Sequence, residues 1–481
     1  MGSTGRHRLR MGPLRQDAYR SFPLYGGRRI GDPHPNHYHI DLPDRKAIEQ
    51  DTGSQMSNRR KLVHILFSFS LLIMACQAVN QLIDNPYPLS IDSLEERSPL
   101  STEQQVSIFD ELWNIVNEEY LYEDFNGVDW EASYQEYHAK IETGLDDEAF
   151  YQAMREMIFA LNDEHSVFLS PEEALAEDIE YAGDSNFVGI GIWVEAIIDR
   201  DRAVILLVFP GSPAEDAGLK SHDSILAVEG EPILDEAGWM IDNILGPEGT
   251  PVNITVQSPG GEPRDLSITR AQLSGSLPVP NEILTSPRGQ RIGYILIPTL
   301  ADGTMDDRVK EVLEELSVDG PLDGLILDNR LNGGGYNDVM ENILEYFTDD
   351  LVGHFVNREE EEAVKISAND IEGSTTVPLV VLVGWDTASF GEIFSGILKD
   401  QGRATLIGET TYGNVETLWG YDFEDGSRAW IAHDTFRPNN HPEEDWEKSG
   451  IIPDIIVAGE WDLFTFENDP VILAALEHFD N

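Results

Sequence analysis

Short apolar runs alternate with helix-like segments in the second half of the chain, and this alternation limits the possible folds most. Residues 291–297, 324–328 and 378–383 are apolar runs of strand length, and residues 305–316 form an amphipathic helical segment between the first two. A repeated order of strand, helix and strand favours a parallel sheet covered by helices. The sequence therefore predicts an α/β core over residues 280–481.

A serine stands where one of these strands passes into a helix. Ser389 lies in Thr387-Ala-Ser-Phe-Gly-Glu-Ile393, between the apolar run 378–383 and the helical segment 392–398. A hydroxyl on such a turn can be exposed beside backbone N–H groups, which is the geometry of a nucleophile in acyl transfer. The alternative is that Ser389 only caps the helix.

The stretch around Ser389 resembles the nucleophile motif of the S41 peptidases, the carboxyl-terminal processing and tricorn-core proteases. In the processing branch a lysine base follows the serine by 25 residues in a Thr-Phe-Gly-Lys-Gly motif. The corresponding segment here is Thr411-Tyr-Gly-Asn-Val415, so position 414 is asparagine. A lysine dyad at this position is excluded, and the base must come from another part of the chain.

Two further motifs resemble the tricorn-like branch. Leu161-Asn-Asp-Glu-His165 is similar to its Leu-x-Asp-x-His motif, and residues 446–454 are similar to its Glu-Asn-x-Gly-Val-x-Pro-Asp motif, which nominates Glu447. The resemblance implies a triad in which His165 takes the proton of Ser389 and Glu447 orients the imidazole. An imidazole base with its usual pKa of about 6.5 predicts a rate that rises around pH 6–7.

Two alternatives to this triad remain. A displaced lysine could act as the base, and Lys399 and Lys448 are the nearest candidates in the sequence. The chain could also be an inactive homologue that binds peptides without cleaving them.

An oxyanion hole is expected beside the serine. The backbone N–H of Phe390 is one donor candidate. Residues 325–335, which end in Asn332-Gly-Gly-Gly335, resemble the family's Asp-Leu-Arg-x-Asn-x-Gly-Gly loop. This resemblance implies that Gly334 supplies a second N–H. A plain turn is the alternative, and a P-loop is excluded because its Lys-Ser/Thr pair is missing.

A second resemblance concerns residues 185–272. Residues 209–230 are similar to the helix-and-strand core of a PDZ domain, although His222 stands where that family usually has glycine. Val188-Gly189-Ile190-Gly191 resembles the PDZ loop that binds a peptide's terminal carboxylate while the peptide adds a strand to the sheet. An ordinary strand bulge is the alternative, and a dinucleotide site lacks its third glycine.

The resemblances and the periodicity together give a domain order. Apolar residues at helical spacing predict an N-terminal helical subdomain over residues 103–184, which carries the histidine motif. The inserted PDZ domain would follow, and the resemblance implies a crotonase-like S41 core at residues 280–481. Residues 77–102 are expected to be a linker.

The charge excludes nucleic acid as a partner, because 88 acidic residues against 32 basic ones give a formal net charge of −56. Acidic runs such as residues 359–362 are expected to be solvated. The sequence has no His-Glu-x-x-His motif or Cys/His cluster with ligand spacing. We therefore expect neither a metal site nor a cofactor.

The amino-terminal region predicts export. Asn58-Arg-Arg-Lys61 precedes a mostly apolar stretch that ends at Cys76, and a basic segment before a short apolar one is typical of a signal sequence. Residues 72–76 resemble a bacterial lipobox despite Met74, so residues 56–76 are expected to be a signal with Cys76 as the lipidation site. An uncleaved membrane anchor at residues 62–79 is the alternative. Residues 1–55 are expected to be a misassigned start or a disordered leader.

These expectations combine into one hypothesis. The chain would be an exported serine endopeptidase, held by a lipid on the outer face of the cytoplasmic membrane, that captures carboxyl-terminal tails of proteins through its PDZ domain. The alternative is a tail-binding scaffold with the same fold and no catalysis. The sequence predicts neither the substrate nor the oligomeric state.

Overall fold

The computed structural model of the chain describes residues 98–480, except residues 164, 182–185, 236 and 242, together with residues 10–11 and 25–28. Apart from those two short segments, the predicted leader, the signal segment with Cys76 and the linker up to residue 97 lie outside the described residues. No α-helix within the described part of the chain has the length and apolar character that crossing a membrane requires.

Helices and strands alternate through the described residues. The α-helices are α1 (Thr102–Glu119), α2 (Trp130–Ile141), α3 (Asp147–Phe159), α4 (Pro171–Tyr181), α5 (Pro213–Asp216), α6 (Met305–Ser317), α7 (Asn337–Glu345), α8 (Phe390–Asp400), α9 (Trp446–Ser449) and α10 (Pro470–Phe479). The strands are β1 (Arg10–Met11), β2 (Tyr25–Arg28), β3 (Val167–Leu169), β4 (Phe187–Gly189), β5 (Ile192–Ile197), β6 (Arg202–Val208), β7 (Ser224–Val228), β8 (Glu231–Pro232), β9 (Pro251–Gln257), β10 (Arg264–Thr269), β11 (Ala271–Leu273), β12 (Asn281–Thr285), β13 (Arg291–Leu296), β14 (Gly324–Asp328), β15 (Asp350–Val356), β16 (Glu361–Ile366), β17 (Leu379–Val383), β18 (Thr405–Gly408), β19 (Thr417–Asp422), β20 (Arg428–Pro438) and β21 (Ile455–Ile456).

The central sheet has the strand order β12-β13-β14-β17-β18-β21. Its strands run parallel except β12, which pairs antiparallel with β13. Every residue of β14 and β17 is buried, as expected for a parallel sheet covered on both faces. Leu325 and Leu327 pack with α6, α7 and α8, whereas Ile326 packs with α10 on the opposite face. This arrangement confirms the predicted α/β class.

A second sheet connects this core to the N-terminal helices. Its strand order is β1-β19-β20-β15-β16, and β3 pairs with β20. Helix α1 begins at a capping box formed by Ser101 and Gln104. Its apolar face, with Phe109, Leu112 and Val116, lies in one buried cluster with β3, β19 and β20. The helices expected between residues 103 and 184 therefore pack directly against a sheet of the core.

Residues 187–273 form a separate group of strands around their own apolar cluster. The sheet order is β10-β9-β7-β6-β5-β2, with β8 on β7, and β4 pairs with β11. His222 has a φ of +77°, which is disfavoured for a residue with a side chain. Its buried ring stacks on Trp461 with centroids 4.5 Å apart. This packing between the strand group and the core compensates for an unfavourable backbone conformation.

Candidate active site

Ser389 lies on the turn between β17 and α8. Its φ of +56° and ψ of −133° are unusual for a residue other than glycine, and such strain is typical of a nucleophile turn. Its backbone N–H donates to the carbonyl of Asn414 at 2.8 Å and to Glu392 Oε2 at 3.3 Å. The residue is 1% exposed, and its Oγ has no hydrogen-bond partner among the described residues. The turn is thus anchored by its main chain, and the hydroxyl, which the sequence suggested would be exposed, is buried and makes no hydrogen bond to any described residue.

His165 lies just before β3, in a turn that Asp163 holds. Asp163 Oδ1 accepts from the N–H groups of His165 at 3.0 Å and Ser166 at 2.6 Å, and its Oδ2 accepts from the Tyr120 hydroxyl at 2.7 Å. The imidazole Nε2 of His165 lies 2.9 Å from Glu447 Oε1. The second ring nitrogen, Nδ1, is buried and has no hydrogen-bond partner in the described part of the chain. One nitrogen is therefore engaged by a carboxylate and the other is available.

Glu447 lies on the short helix α9, and main-chain groups orient its carboxylate. While Oε1 contacts His165, Oε2 accepts from the N–H groups of Val415 at 2.7 Å and Glu416 at 3.1 Å. The structure thus brings two of the three predicted triad residues into direct contact.

Residues 414–416 connect the two halves of the site. The Asn414 carbonyl accepts from the N–H of Ser389, and the next two residues donate to Glu447. The segment therefore lies between the serine turn and the carboxylate that holds His165. No hydrogen bond joins the side chains of Ser389 and His165 within the described residues.

The Gly334 loop lies against the nucleophile. Gly334 has a φ of +100°, and a Cβ at this position would lie 2.6 Å from the Ser389 Cβ and 3.1 Å from the Phe390 nitrogen. Only glycine allows this approach. The Gly334 N–H, however, donates to Asn332 Oδ1 at 3.0 Å. The two expected oxyanion donors are thus close together, but one of them is engaged within its own loop.

Glu392, in the first turn of α8, is a buried carboxylate that the sequence analysis missed. Its oxygens accept from the Thr411 hydroxyl and from the N–H groups of Gly413 at 2.8 Å, Asn414 at 2.8 Å and Ser389 at 3.3 Å. Burial raises the pKa of Glu392 to about 7, although these hydrogen bonds oppose the rise. Its position three residues after the serine that precedes α8 was the available signal, because a glutamate there can accept from the backbone N–H of that serine.

Glu416 is a second carboxylate that the sequence did not reveal. Its Oε2 lies 3.4 Å from His165 Nε2 and has no hydrogen-bond partner among the described residues, whereas Oε1 accepts from the Tyr122 hydroxyl. Burial raises the pKa of Glu416 to about 7, and the Glu447 charge adds to this effect while His165 opposes it. A residue from another part of the chain thus places a further negative charge beside the imidazole.

The acidic surroundings change the expected titration of His165. Burial lowers the pKa of this imidazole, but the hydrogen bond to Glu447 and the charges of Glu416, Glu447 and Asp163 outweigh burial and raise it to about 9. The rise in rate around pH 6–7 that the usual value predicts is therefore expected at higher pH. A profile that still climbs at pH 8 no longer separates a histidine base from a lysine.

The side chains of the two alternative lysine bases contact groups other than Ser389. Lys399 Nζ donates to the Ile452 carbonyl at 2.6 Å and lies 3.6 Å from Asp454 Oδ1. Lys448 Nζ lies 2.5 Å from Asp445 Oδ2, and its side chain is 83% exposed. Since Lys399 is engaged and Lys448 is solvated and charged, neither is arranged as a neutral base.

The predicted carboxylate-binding loop, residues 188–191, runs from β4 to the start of β5. Val188 and Gly189 belong to β4, which pairs with β11. The Ile190 carbonyl accepts from an N–H of α5 at 2.8 Å. Gly191 has a φ of +85°, and a Cβ there would lie 2.3 Å from the Ser212 Cβ, so a larger residue does not fit.

The chain is similar to proteases over most of its length. Peptidase family S41 matches residues 291–457, and the Tricorn protease C1 domain matches residues 102–159. The Carboxyl-terminal-processing protease of Synechocystis sp. is 32% identical over 368 residues, which cover 75% of this chain and 82% of that protein. The chloroplastic C-terminal processing peptidase of Tetradesmus obliquus is 30% identical over 362 residues, which cover 72% and 76%.

Solved structures show the same relationship. The photosystem II D1 C-terminal processing protease superposes with a TM-score of 0.51 at 27% identity, covering 74% of this chain and 93% of that one. A putative S41 protease from Bacteroides fragilis gives a TM-score of 0.54 at 17% identity, covering 77% and 97%. At this lower identity the likeness concerns the fold alone.

Proposed function

This chain belongs to peptidase family S41 and is a serine-type peptidase, and we propose that Ser389, His165 and Glu447 are its catalytic triad. The family membership confirms the resemblance that the motifs predicted. The observation that supports the triad best is the hydrogen bond from His165 Nε2 to Glu447, which leaves Nδ1 without a partner. A histidine base in a triad needs this division between its two nitrogens.

In the proposed reaction, Ser389 Oγ attacks the carbonyl carbon of the scissile peptide bond while His165 Nδ1 accepts the hydroxyl proton. Glu447 stabilises the imidazolium that forms, and the N–H groups of Phe390 and Gly334 stabilise the oxyanion. The imidazolium then protonates the leaving amine as the C–N bond breaks. Water, deprotonated by Nδ1, then attacks the acyl carbon, and the ester bond to Ser389 breaks as the imidazolium returns the proton to Oγ.

We infer that the described conformation is a resting form. The Gly334 N–H is bonded to Asn332, and the Ser389 hydroxyl makes no hydrogen bond to His165. Catalytic hydrogen bonds often tighten only when substrate binds. A substrate carbonyl would compete with Asn332 for the Gly334 N–H and complete the oxyanion hole.

Tail capture belongs to the same proposal. We assign residues 185–272 to an inserted PDZ domain and residues 280–481 to a crotonase-like core. A carboxyl-terminal tail would extend the sheet at β5, with its carboxylate at residues 188–191. On that side of β5 the four-residue strand β2 already pairs in parallel, so a bound tail would replace β2 at this edge. The names of the relatives, which describe carboxyl-terminal processing, support this class of substrate.

Export and anchoring are proposed from the sequence alone. The basic segment and apolar run before Cys76 support secretion with lipid attachment at that residue. The enzyme would then act in the cell envelope, at the outer face of the cytoplasmic membrane.

A tail-binding scaffold without catalysis is the second candidate function. Two observations favour it: the Ser389 hydroxyl is not hydrogen-bonded to a base, and one oxyanion donor is engaged by Asn332.

Hydrolysis of casein and of peptides with apolar carboxyl termini separates these functions. We expect Ser389→Ala and His165→Ala to reduce the rate to background, by roughly 10⁴-fold or more, and Glu447→Gln to reduce it strongly. His441→Ala serves as the control, because His441 is exposed and pairs with Asp400, the last residue of α8, at the opposite end of that helix from Ser389. An inactive wild type that still binds tail peptides would support the scaffold, and loss in Ser389→Ala alone would refute His165 as the base.

A further inference from the structure

Three side chains from distant parts of the sequence meet beside the proposed base. His165, Glu416 and Glu447 each offer one ligand atom, and these atoms all lie within 4.8 Å of one another. Neighbouring groups already orient both carboxylates: the Tyr122 hydroxyl holds Glu416, and two backbone N–H groups hold Glu447. Such supporting contacts are typical of metal ligands.

The distances suit a small divalent ion. Zn²⁺ binds imidazole nitrogen and carboxylate oxygen at about 2.0–2.2 Å, so two ligands of a tetrahedral site lie about 3.4 Å apart. His165 Nε2 is 3.4 Å from Glu416 Oε2 and 2.9 Å from Glu447 Oε1. The first distance already suits a tetrahedral site, and a modest separation of His165 from Glu447 would bring the second to the same value.

One of these ligand atoms lacks a partner of its own. The Glu416 side chain is 2% exposed, and its Oε2 points to His165 without a hydrogen bond to any described residue. A buried carboxylate oxygen without a donor is costly, and a cation would satisfy it. Glu447, whose side chain is 18% exposed, gives the cluster its most solvent-accessible side.

We propose that a divalent transition-metal ion, with Zn²⁺ as the best fit, binds His165 Nε2, Glu416 Oε2 and Glu447 Oε1 and thereby inhibits the peptidase. The inhibition rests on the proposed triad, whereas the metal binding itself does not.

Inhibition follows from the two tautomers of a neutral imidazole, which carry the proton on Nδ1 or on Nε2. During catalysis Nε2 carries the proton that Glu447 accepts, so the lone pair of Nδ1 is free to take the proton of Ser389. A metal ion uses the lone pair of Nε2, and the proton of the neutral ring must then be on Nδ1. His165 can no longer accept a proton from the serine. The ion also occupies the Glu447 oxygen that would stabilise the imidazolium.

The metal site can be measured without any peptidase activity. The full chain with Ser389→Ala would be freed of metal by a chelator, washed and titrated with Co²⁺, whose visible absorption increases strongly in a four-coordinate site. Equilibrium dialysis with Zn²⁺ would be run in excess Mg²⁺, which occupies the acidic surface. We expect one Zn²⁺ per chain, and at least about a 10-fold weaker affinity when Glu416→Gln is added.

Matched variants decide the outcome. His441→Ala removes a histidine whose ring contacts one carboxylate, Asp400, and should leave the Co²⁺ spectrum and the Zn²⁺ affinity unchanged. Equal Zn²⁺ affinity with and without Glu416→Gln, or no binding in Mg²⁺, would overturn the site. If circular dichroism shows that Glu416→Gln is unfolded, Glu416→Asp tests the same ligand, because a shorter side chain withdraws the oxygen.

The inhibition is tested separately on the wild type. Hydrolysis in chelator should fall at least 10-fold on addition of Zn²⁺ and recover on chelation, and Glu416→Gln should raise the half-inhibitory Zn²⁺ concentration at least about 10-fold. Zn²⁺ that binds without slowing hydrolysis would refute the inhibitory role. If the chelated wild type hydrolyses nothing, the proposed function fails, while the Co²⁺ titration still decides the metal site.

Discussion

Two buried glutamates near the nucleophile and the base differ in how completely their carboxylates are hydrogen-bonded. Burial raises the pKa of both Glu392 and Glu416 to about 7. Glu392 accepts one hydroxyl and three backbone N–H groups, whereas Glu416 accepts the Tyr122 hydroxyl and leaves Oε2 facing His165 without a hydrogen bond. Glu392, whose carboxylate is fully hydrogen-bonded, holds the surrounding backbone in place. Glu416, whose Oε2 lacks a hydrogen bond, is available to bind a proton or a metal ion.

The same difference divides the site into two regions. The serine region, which comprises the turn at Ser389, the Gly334 loop and Glu392, is built from close backbone contacts. The histidine region, which comprises His165, Glu416 and Glu447, is built from charges. Substitutions in the first region should act through shape and stability, and those in the second through pKa values.

Among substitutions outside the proposed triad, the largest effect is expected from Gly334→Ala in the serine region. The new Cβ would lie 2.6 Å from the Ser389 Cβ, at a φ of +100° that disfavours alanine. Displacing one oxyanion donor costs about 10²–10³ in kcat, so kcat should fall by at least that factor while KM changes little. Steady-state kinetics on a tailed peptide measure this. A Gly333→Ala control, where the added Cβ meets open space, should lose far less activity.

Glu392→Ala should mainly reduce stability. It leaves the Thr411 hydroxyl and the N–H groups of Gly413 and Asn414 without their acceptor, whereas the Ser389 N–H keeps the Asn414 carbonyl. We expect a loss of about 3 kcal/mol in the free energy of unfolding, measured by urea denaturation. A carboxyl whose pKa is raised from 4.5 to about 7 on folding contributes less stability as pH rises through that range, so the loss should narrow towards pH 8. A loss that grows with pH would contradict the raised pKa.

Glu416→Gln should act on pH dependence more than on stability. Removing a negative charge 3.4 Å from Nε2 lowers the pKa of His165 from about 9, so the neutral base forms at lower pH. The acidic limb of the kcat/KM profile should move down by roughly one pH unit, equivalent to about 1.4 kcal/mol. Glu119→Gln, at an acidic side chain near His433 instead, is the control. An unmoved profile would mean that Glu416 does not influence the base.

The smallest effect is expected from the two lysines. Lys399→Met and Lys448→Met should change kcat/KM by less than about two-fold, because both ammonium groups lie in ion pairs outside the triad. A large loss of kcat/KM in either variant would support that lysine as the base. It would also contradict the assignment of the base to the histidine region.

The sequence predicted the parts of this molecule that depend on local pattern. Alternating apolar runs predicted the α/β core, and the position of Ser389 between a strand and a helix predicted a turn at the nucleophile. The pairing of His165 with Glu447 was expected from two short motifs, although 282 residues separate them.

The features that the sequence did not predict depend on contacts between residues far apart in the chain, and the spacing of residues within a motif does not indicate such contacts. Glu416 meets Tyr122 across 294 residues, and acidic residues are so frequent in this chain that one more carries no signal. The hydrogen bond between Gly334 and Asn332 depends on loop conformation, which the Gly-rich motif leaves open. The raised pKa of His165 follows from charges that only the fold brings together, so the sequence alone predicts the usual pKa of an imidazole.

Residues 414–416 link the serine turn to Glu447 through main-chain groups, while both polar atoms of the Asn414 side chain are buried without a hydrogen-bond partner among the described residues. These hydrogen bonds of the site therefore use no atom of the Asn414 side chain. A lysine base could therefore be gained or lost at position 414, in evolution or by design, while the main-chain hydrogen bonds of the site are kept. Asn414→Lys would put two alternative bases into one protein and let them compete for the same serine.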